Sequence, residues 1–244
     1  MIKKLIILAL GMFMILCCSV VSYRYSTALV NKNKYPVFGV DLSHYQGDVD
    51  WKKLQSQGVE FAFIKATEGS GHVDESAADN LKNSAATNIA VSCYHFFSFD
   101  SAGETQAENF IKTVPKESID MPPVIDIEYY ADKSRNKPAL EDTMAILTPL
   151  LQILEDYYGT KPIIYANKSV YSRYISQHYS DYPLWIRNTH EEPKFTEWKF
   201  WQYSDSGMLD GYVGKEKYID YDVYCGSREE FEKEFNLSTR RTKK

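Results

Sequence analysis

The sequence predicts an α/β fold: a modified TIM-like barrel of eight strands with about five helices, preceded by an N-terminal hydrophobic segment. Three observations predict it. Eight short runs rich in β-branched and aromatic residues recur along the chain. Helical periods fill the first five gaps between them and then stop, which implies parallel strands with right-handed crossovers in a barrel whose last part has lost its helices. The run after strand one lacks the Gly-rich phosphate turn that the main alternative, an open doubly wound sheet, would carry.

The predicted strands are residues 37–42, 60–65, 89–96, 123–128, 162–166, 183–187, 199–203 and 218–224. Between the first two, Trp51 and Leu54 mark a short helix that Gly58 can close. Residues 75–87 read as the second helix. Ser101 and Glu104 have the spacing of a capping box ahead of Ala107, Phe110, Ile111 and Val114, a third helix. Leu140, Met144, Leu147, Leu151, Leu154 and Tyr158 form a long stripe ended by Gly159, with a kink expected at Pro149. Val170, Tyr171, Tyr174 and Ile175 suggest a fifth helix.

Lys3 and Lys4 precede an uncharged apolar run over residues 5–21. The run is long for a signal-peptide core and short for a membrane span. Residues 1–22 are therefore read as a signal peptide or a membrane anchor, and either one exports the rest of the chain, to the cell envelope facing outward or into the medium. Residues 23–36 read as a linker, 37–228 as the barrel and 229–244 as a tail. Two cysteines remain beyond the leader, Cys93 on strand three and Cys225 by strand eight. Two strands stand between them, about 14 Å at roughly 4.8 Å per strand. That is beyond disulfide reach, so two free thiols are expected.

Of 244 residues 25% are charged and 44% apolar, an ordinary globular balance that excludes disordered and fibrous classes. The net charge is −5 and no basic run occurs before Arg240, which excludes nucleic acid as a partner. The 19 Tyr, 12 Phe and 4 Trp suit sugar stacking as well as a core. The five histidines show no metal-binding spacing, so no metal and no cofactor is expected. His44 and His95 read as hydrogen-bonding residues near the groove, and Ser43 lacks the surroundings of a nucleophile.

The informative residues are acids. Asp126 and Glu128 share one face of strand four with Val124, while Ile125 and Ile127 share the other. At about 7 Å and an effective dielectric near 20, their charges repel by about 2.4 kcal/mol. That is worth about 1.7 in pKa, enough to keep one protonated near pH 6 while the other is ionised. Such a split suits protonation of a glycosidic oxygen. Strand one carries Asp41, and strand eight carries Asp220 and Asp222. In a closed barrel strands one and eight are neighbours, and Asp41, Asp126, Glu128 and Asp220 can converge at the C-terminal mouth.

These residues resemble the family 25 glycoside hydrolases, the Chalaropsis-type lysozymes. The motifs that carry the likeness are Val40-Asp-Leu-Ser-His-Tyr-Gln-Gly47, Phe61-Ala-Phe-Ile-Lys-Ala-Thr-Glu-Gly69, Tyr94-His-Phe96, Pro123-Val-Ile-Asp-Ile-Glu128, Ile164-Tyr-Ala166, Leu184-Trp-Ile186, Trp201-Gln-Tyr-Ser204 and Ile219-Asp-Tyr-Asp-Val-Tyr224, in that order. The resemblance implies a monomeric muramidase acting on the β-1,4 bonds of peptidoglycan glycan strands. It implies Glu128 as proton donor, Asp126 assisting, Asp41 and Asp220 as further active-site acids, and Tyr94, Tyr165, Trp185, Gln202 and Lys65 as substrate contacts. Lys65 can instead pair with Glu68. Two positions depart from the family's pattern: Arg187, where a small residue is usual, and Asp222, where Asn is common. Arg187 is expected to alter a subsite or to pair with Asp222. Spacing leaves retaining and inverting mechanisms open. A glycan-binding module without catalysis and a chitinase-like enzyme are the alternatives; the first is opposed by the four acids, the second by Val124, where the chitinase signature needs Asp.

Overall fold

The computed structural model describes residues 30–237. The apolar run at 5–21, read as a signal peptide or membrane anchor, lies outside the described residues. Among the described residues, no helix is long and apolar enough to cross a membrane.

The strands are β1 (Phe38–Leu42), β2 (Phe61–Glu68), β3 (His72–Val73), β4 (Ala90–Phe96), β5 (Val124–Ile127), β6 (Ile163–Asn167), β7 (Leu184–Arg187), β8 (Phe200–Gly207) and β9 (Ile219–Tyr224). Eight of them close a barrel in the order β1-β2-β4-β5-β6-β7-β8-β9, and β9 returns to β1. The short β3 is a hairpin extension on β2 that the sequence does not predict. From β1 to β8 neighbouring strands are parallel, as read from the helical crossovers. The last strand departs from that reading: β9 runs antiparallel to both β8 and β1. Residues 208–218 are too few for the dozen or more that a parallel crossover needs, so the chain turns back as a hairpin. The reversal places the start of β9, not its end, at the mouth.

Alternation sorts each strand onto two faces. Phe61, Phe63, Val124, Ile163, Tyr165, Trp185, Phe200 and Tyr224 fill the barrel interior. Val40, Leu42, Ala62, Ile64, Val91, Cys93, Ile125, Ile127, Ile164 and Ile186 face outward against the helices. Gly39 on β1 lets the Phe61 ring lie against the strand, since a Cβ there would sit 2.4 Å from the ring. The first seam thus closes around an aromatic core.

The helices are α1 (Trp51–Ser56), α2 (Ala77–Ser84), α3 (Gly103–Thr113), α4 (Leu140–Tyr158), α5 (Lys168–Val170) and α6 (Arg228–Glu234). α5 continues as a π-helical turn over Tyr171–Ile175. α3 begins at Gly103 after Ala102 with no side-chain cap, so the Ser101 box does not form. At this start the helix crosses α4 closely: a Cβ on Gly103 would meet the Ile146 carbonyl oxygen at 2.0 Å, so the crossing needs glycine. α4 passes through Pro149 as one helix of 19 residues, held on both sides of the proline by buried Leu147, Leu150, Leu151 and Leu154. α6 lies in the stretch read as the barrel's end and tail. Ser227 and Glu230 cap it reciprocally, and Phe231 packs on Phe61 and Tyr224 at the barrel floor. On the outer face of β8 and β9, Tyr35 and Trp198 pack against Trp201, Tyr203 and Val223. Cys93 and Cys225 are both free thiols.

Candidate active site

All nine side chains picked from the sequence line one groove of about 340 Å³ at the C-terminal ends of the parallel strands: Asp41, Lys65, Tyr94, Asp126, Glu128, Tyr165, Trp185, Gln202 and Asp220. A larger cavity of about 560 Å³ lies elsewhere, beside Tyr35, Phe38 and Gly58, and holds none of them. The groove follows from strand alternation combined with closure. Asp41 and Asp220 are directly opposed across the antiparallel β1–β9 pair. Asp126 enters from β5, and Glu128 follows one residue past the strand's end.

Gln202 ties these elements together. Its Nε2 donates to Asp41 Oδ2 at 2.7 Å and to Asp220 Oδ2 at 3.0 Å. Its Oε1 accepts from the Tyr165 hydroxyl at 2.8 Å. In this orientation both polar atoms of the amide have partners. Gln202, Tyr165 and Trp185 are all buried. They form the floor that holds the acids, and the half-buried Tyr94, Glu128 and Asp220 face the open groove above it. Lys65 pairs with Glu68 at 2.8 Å and lies over the Phe96 ring.

Burial governs the acids. It is the first cause raising the pKa of Asp126, followed by the charges of Glu128 and Asp41. It also raises Glu128, opposed by the Arg187 guanidinium and then by the polar Tyr165 hydroxyl beside it. Asp220 is pushed up to about 9 by burial and then by the charges of Asp41 and Asp205. Asp41 keeps an edge open to the groove but is enclosed elsewhere, and burial again raises it first. Spacing alone predicts that mutual repulsion splits two carboxyls. The enclosure instead raises both, and repulsion comes second at Asp126 and is not among the leading causes at Glu128, because the closed barrel mouth strips these groups of hydration.

Two further corrections concern individual contacts. Arg187 pairs with Asp205 at 2.7 Å rather than with Asp222. Asp222 sits deeper and accepts from Trp185 Nε1 at 2.7 Å. His95 does not face the groove: it is buried on the outer face of β4, against Thr67 and Gln106. His44 donates or accepts at Asp74 Oδ2 over 2.7 Å, in a 3₁₀ turn that Ser43 caps. Sequence reasoning missed Tyr45, Phe96, Asp205, Glu216 and Tyr218, which also line the groove. Tyr45 and Phe96 lie inside motifs already quoted. Asp205 comes from the extension of β8 beyond its predicted end, and Glu216 from the hairpin after it, where no periodicity marks them.

Comparison with known proteins agrees with this fold. Residues 40–212 match the model of glycosyl hydrolases family 25. The chain is 32% identical over 206 residues to the uncharacterized protein YegX of Escherichia coli O157:H7, covering 81% of this chain and 73% of that one. It is 28% identical over 211 residues to lysozyme M1 of Streptomyces globisporus, covering 78% and 68%. The solved structure of a family 25 glycosyl hydrolase from Bacillus anthracis is 47% identical, with a TM-score of 0.80 over 86% of this chain and 97% of that one.

Proposed function

Because this chain belongs to the glycosyl hydrolases family 25, we propose that it is a peptidoglycan muramidase that hydrolyses the β-1,4 bond between N-acetylmuramic acid and N-acetylglucosamine. The observation that carries the reading is Glu128: a carboxyl facing the groove, its pKa raised by burial, one strand position pair beyond a second raised acid, Asp126. Glu128 gives its proton to the glycosidic oxygen as the C1–O bond breaks, and a water supplies the hydroxyl at C1 while its other proton returns to the carboxylates of the site. Asp126 assists. Its Oδ1 is buried with no hydrogen-bond partner among the described residues, and the amide N–H of a bound N-acetyl group has the chemistry to fill it. Asp41 and Asp220 face developing positive charge at the sugar ring. Tyr94 contacts the sugar, while Tyr165, Gln202 and Trp185 hold the acids from beneath.

Turbidity loss of purified cell walls tests the reading. Glu128→Gln keeps the side-chain shape and removes the proton, and should slow lysis by about 10²- to 10⁴-fold. New reducing ends should be muramic acid. Undiminished lysis by the variant would overturn the assignment of the acid, and binding of walls without any lysis by the unaltered protein would favour a glycan-binding module. We propose further that residues 5–21 export the monomeric barrel and either anchor it to the membrane or are removed. The N-terminal residue of the mature protein distinguishes the two.

A further inference from the structure

Asp222 is a buried acid that the proposed mechanism does not use. It is fully enclosed on β9, below Asp220. Its Oδ1 accepts from Trp185 Nε1. Its Oδ2 is buried with no N–H or O–H donor among the described residues. Across the antiparallel β1–β9 pair Asp222 lies opposite Gly39 and diagonal to Asp41 on the same face, and the carboxyls of Asp41 and Asp222 are hydrogen-bonding neighbours. Asp41 Oδ2 is already occupied by Gln202 Nε2.

Two carboxyl groups in hydrogen-bond contact need a proton between them, since ionised carboxylates are acceptors only. Trp185 and Gln202 each supply a donor to one side of the pair, but neither supplies the contact itself. We propose that Asp41 and Asp222 share one proton, and that Asp222 is a positioning residue that sets Asp41, and through it Gln202, at the floor of the groove. With one proton the pair carries a single negative charge. Loss of that proton would put two like charges side by side in a closed space and break the link from Asp222 through Asp41 and Gln202 to Tyr165.

The surrounding groups favour keeping the proton. Asp220 on β9 and Asp126 and Glu128 of the β5 segment add acid on the same side of the barrel. The cations of the groove are engaged elsewhere, Lys65 of β2 with Glu68 and Arg187 of β7 with Asp205 of β8. The phenols of Tyr94 on β4, Tyr165 on β6 and Tyr203 on β8 are all raised by burial and remain neutral. Burial raises both members of the pair as well.

Asp222→Asn tests this with the full-length protein. The amide can keep the bond from Trp185 and offer an N–H to Asp41, so the contact no longer needs a proton. Unfolding is measured against pH between about 6 and 8, where unfolded aspartates are ionised. The unaltered protein should take up one more proton on folding than the variant, so its unfolding constant should grow about tenfold more per pH unit. The protonated-carboxyl band in the infrared spectrum at neutral pH should fall by one group. Asp41→Asn should give the same two changes, and it carries the test if Asp222→Asn does not fold. The double variant should lose no more than either single, because one proton is shared. An unchanged pH slope in the singles, or a double variant that loses two protons, would overturn the proposal. These readouts do not depend on the muramidase reading. A third one does: the alkaline limb of wall lysis should move to higher pH in Asp222→Asn. Absence of lysis in the unaltered protein would count against the proposed function and leave the stability and infrared results standing as the test of the pair.

Discussion

Asp220→Asn should make the protein more stable and less active, and the gain should depend on pH. Asp220 titrates at about 9 in the folded chain against an ordinary 3.8, because burial and the charges of Asp41 and Asp205 oppose its ionised form. The unfolded chain releases this proton above about pH 4, while the folded one holds it up to about 9, so folding takes up a proton in between and stability falls as pH rises. At about pH 7 the distance from 3.8 is roughly three pH units, a ceiling of about 4 kcal/mol. Asp220 keeps one side to the open groove and interacts with Asp41, so about half of that, roughly 2 kcal/mol, is the expected gain. Asparagine can still accept from Gln202, whose Nε2 lies 3.0 Å from Asp220 Oδ2, so the floor loses no bond. Urea unfolding at about pH 4, 7 and 9 reads the effect: almost no gain at the first, about 2 kcal/mol at the second and more at the third. Lysis of cell walls should decline in the same variant, since the site gives up an acid. A gain equal at all three pH values, or none, would refute the idea that holding Asp220 protonated in the closed site costs this fold stability.

Two other outcomes are expected from the packing and the charges. Arg187→Ala removes the guanidinium that pulls the Glu128 pKa down, so Glu128 should hold its proton to higher pH and the alkaline limb of lysis should move upward, read from a pH–rate profile. A limb that stays or moves downward would contradict the assigned acid. Phe231→Ala opens the barrel floor, where the ring touches Phe61, Tyr224 and Phe235; it should cost about 3–5 kcal/mol in urea unfolding, while the folded fraction lyses walls at an unaltered rate because the groove is at the opposite end.

Local pattern carried far in this chain. The period of two in strand β5 puts Asp126 and Glu128 on one face and Ile125 and Ile127 on the other, and the structure keeps that division between groove and helix-facing core. The motifs around Asp41, Tyr94, Tyr165 and Gln202 point to the same mouth because each lies on an inward-facing strand position. Cys93 on β4 and Cys225 just past the end of β9, strands that do not adjoin, remain free thiols.

What local pattern does not contain is direction and contact between distant segments. A six-residue strand reads the same either way along the sheet, and only the short hairpin after β8 turns β9 antiparallel, which sets Asp220 opposite Asp41 and Asp222 beneath it. The Arg187–Asp205 pair, the Gln202 bridge and the close crossing at Gly103 join residues far apart in the chain or on separate helices. The raised acids show the same limit: spacing gives the repulsion between two carboxyls, but the larger cause is loss of water. Amino-acid order thus determined which side chains could face inward. Closure of the barrel decided which of them meet and how little water they keep, because burial is a property of the assembled walls and of no single strand.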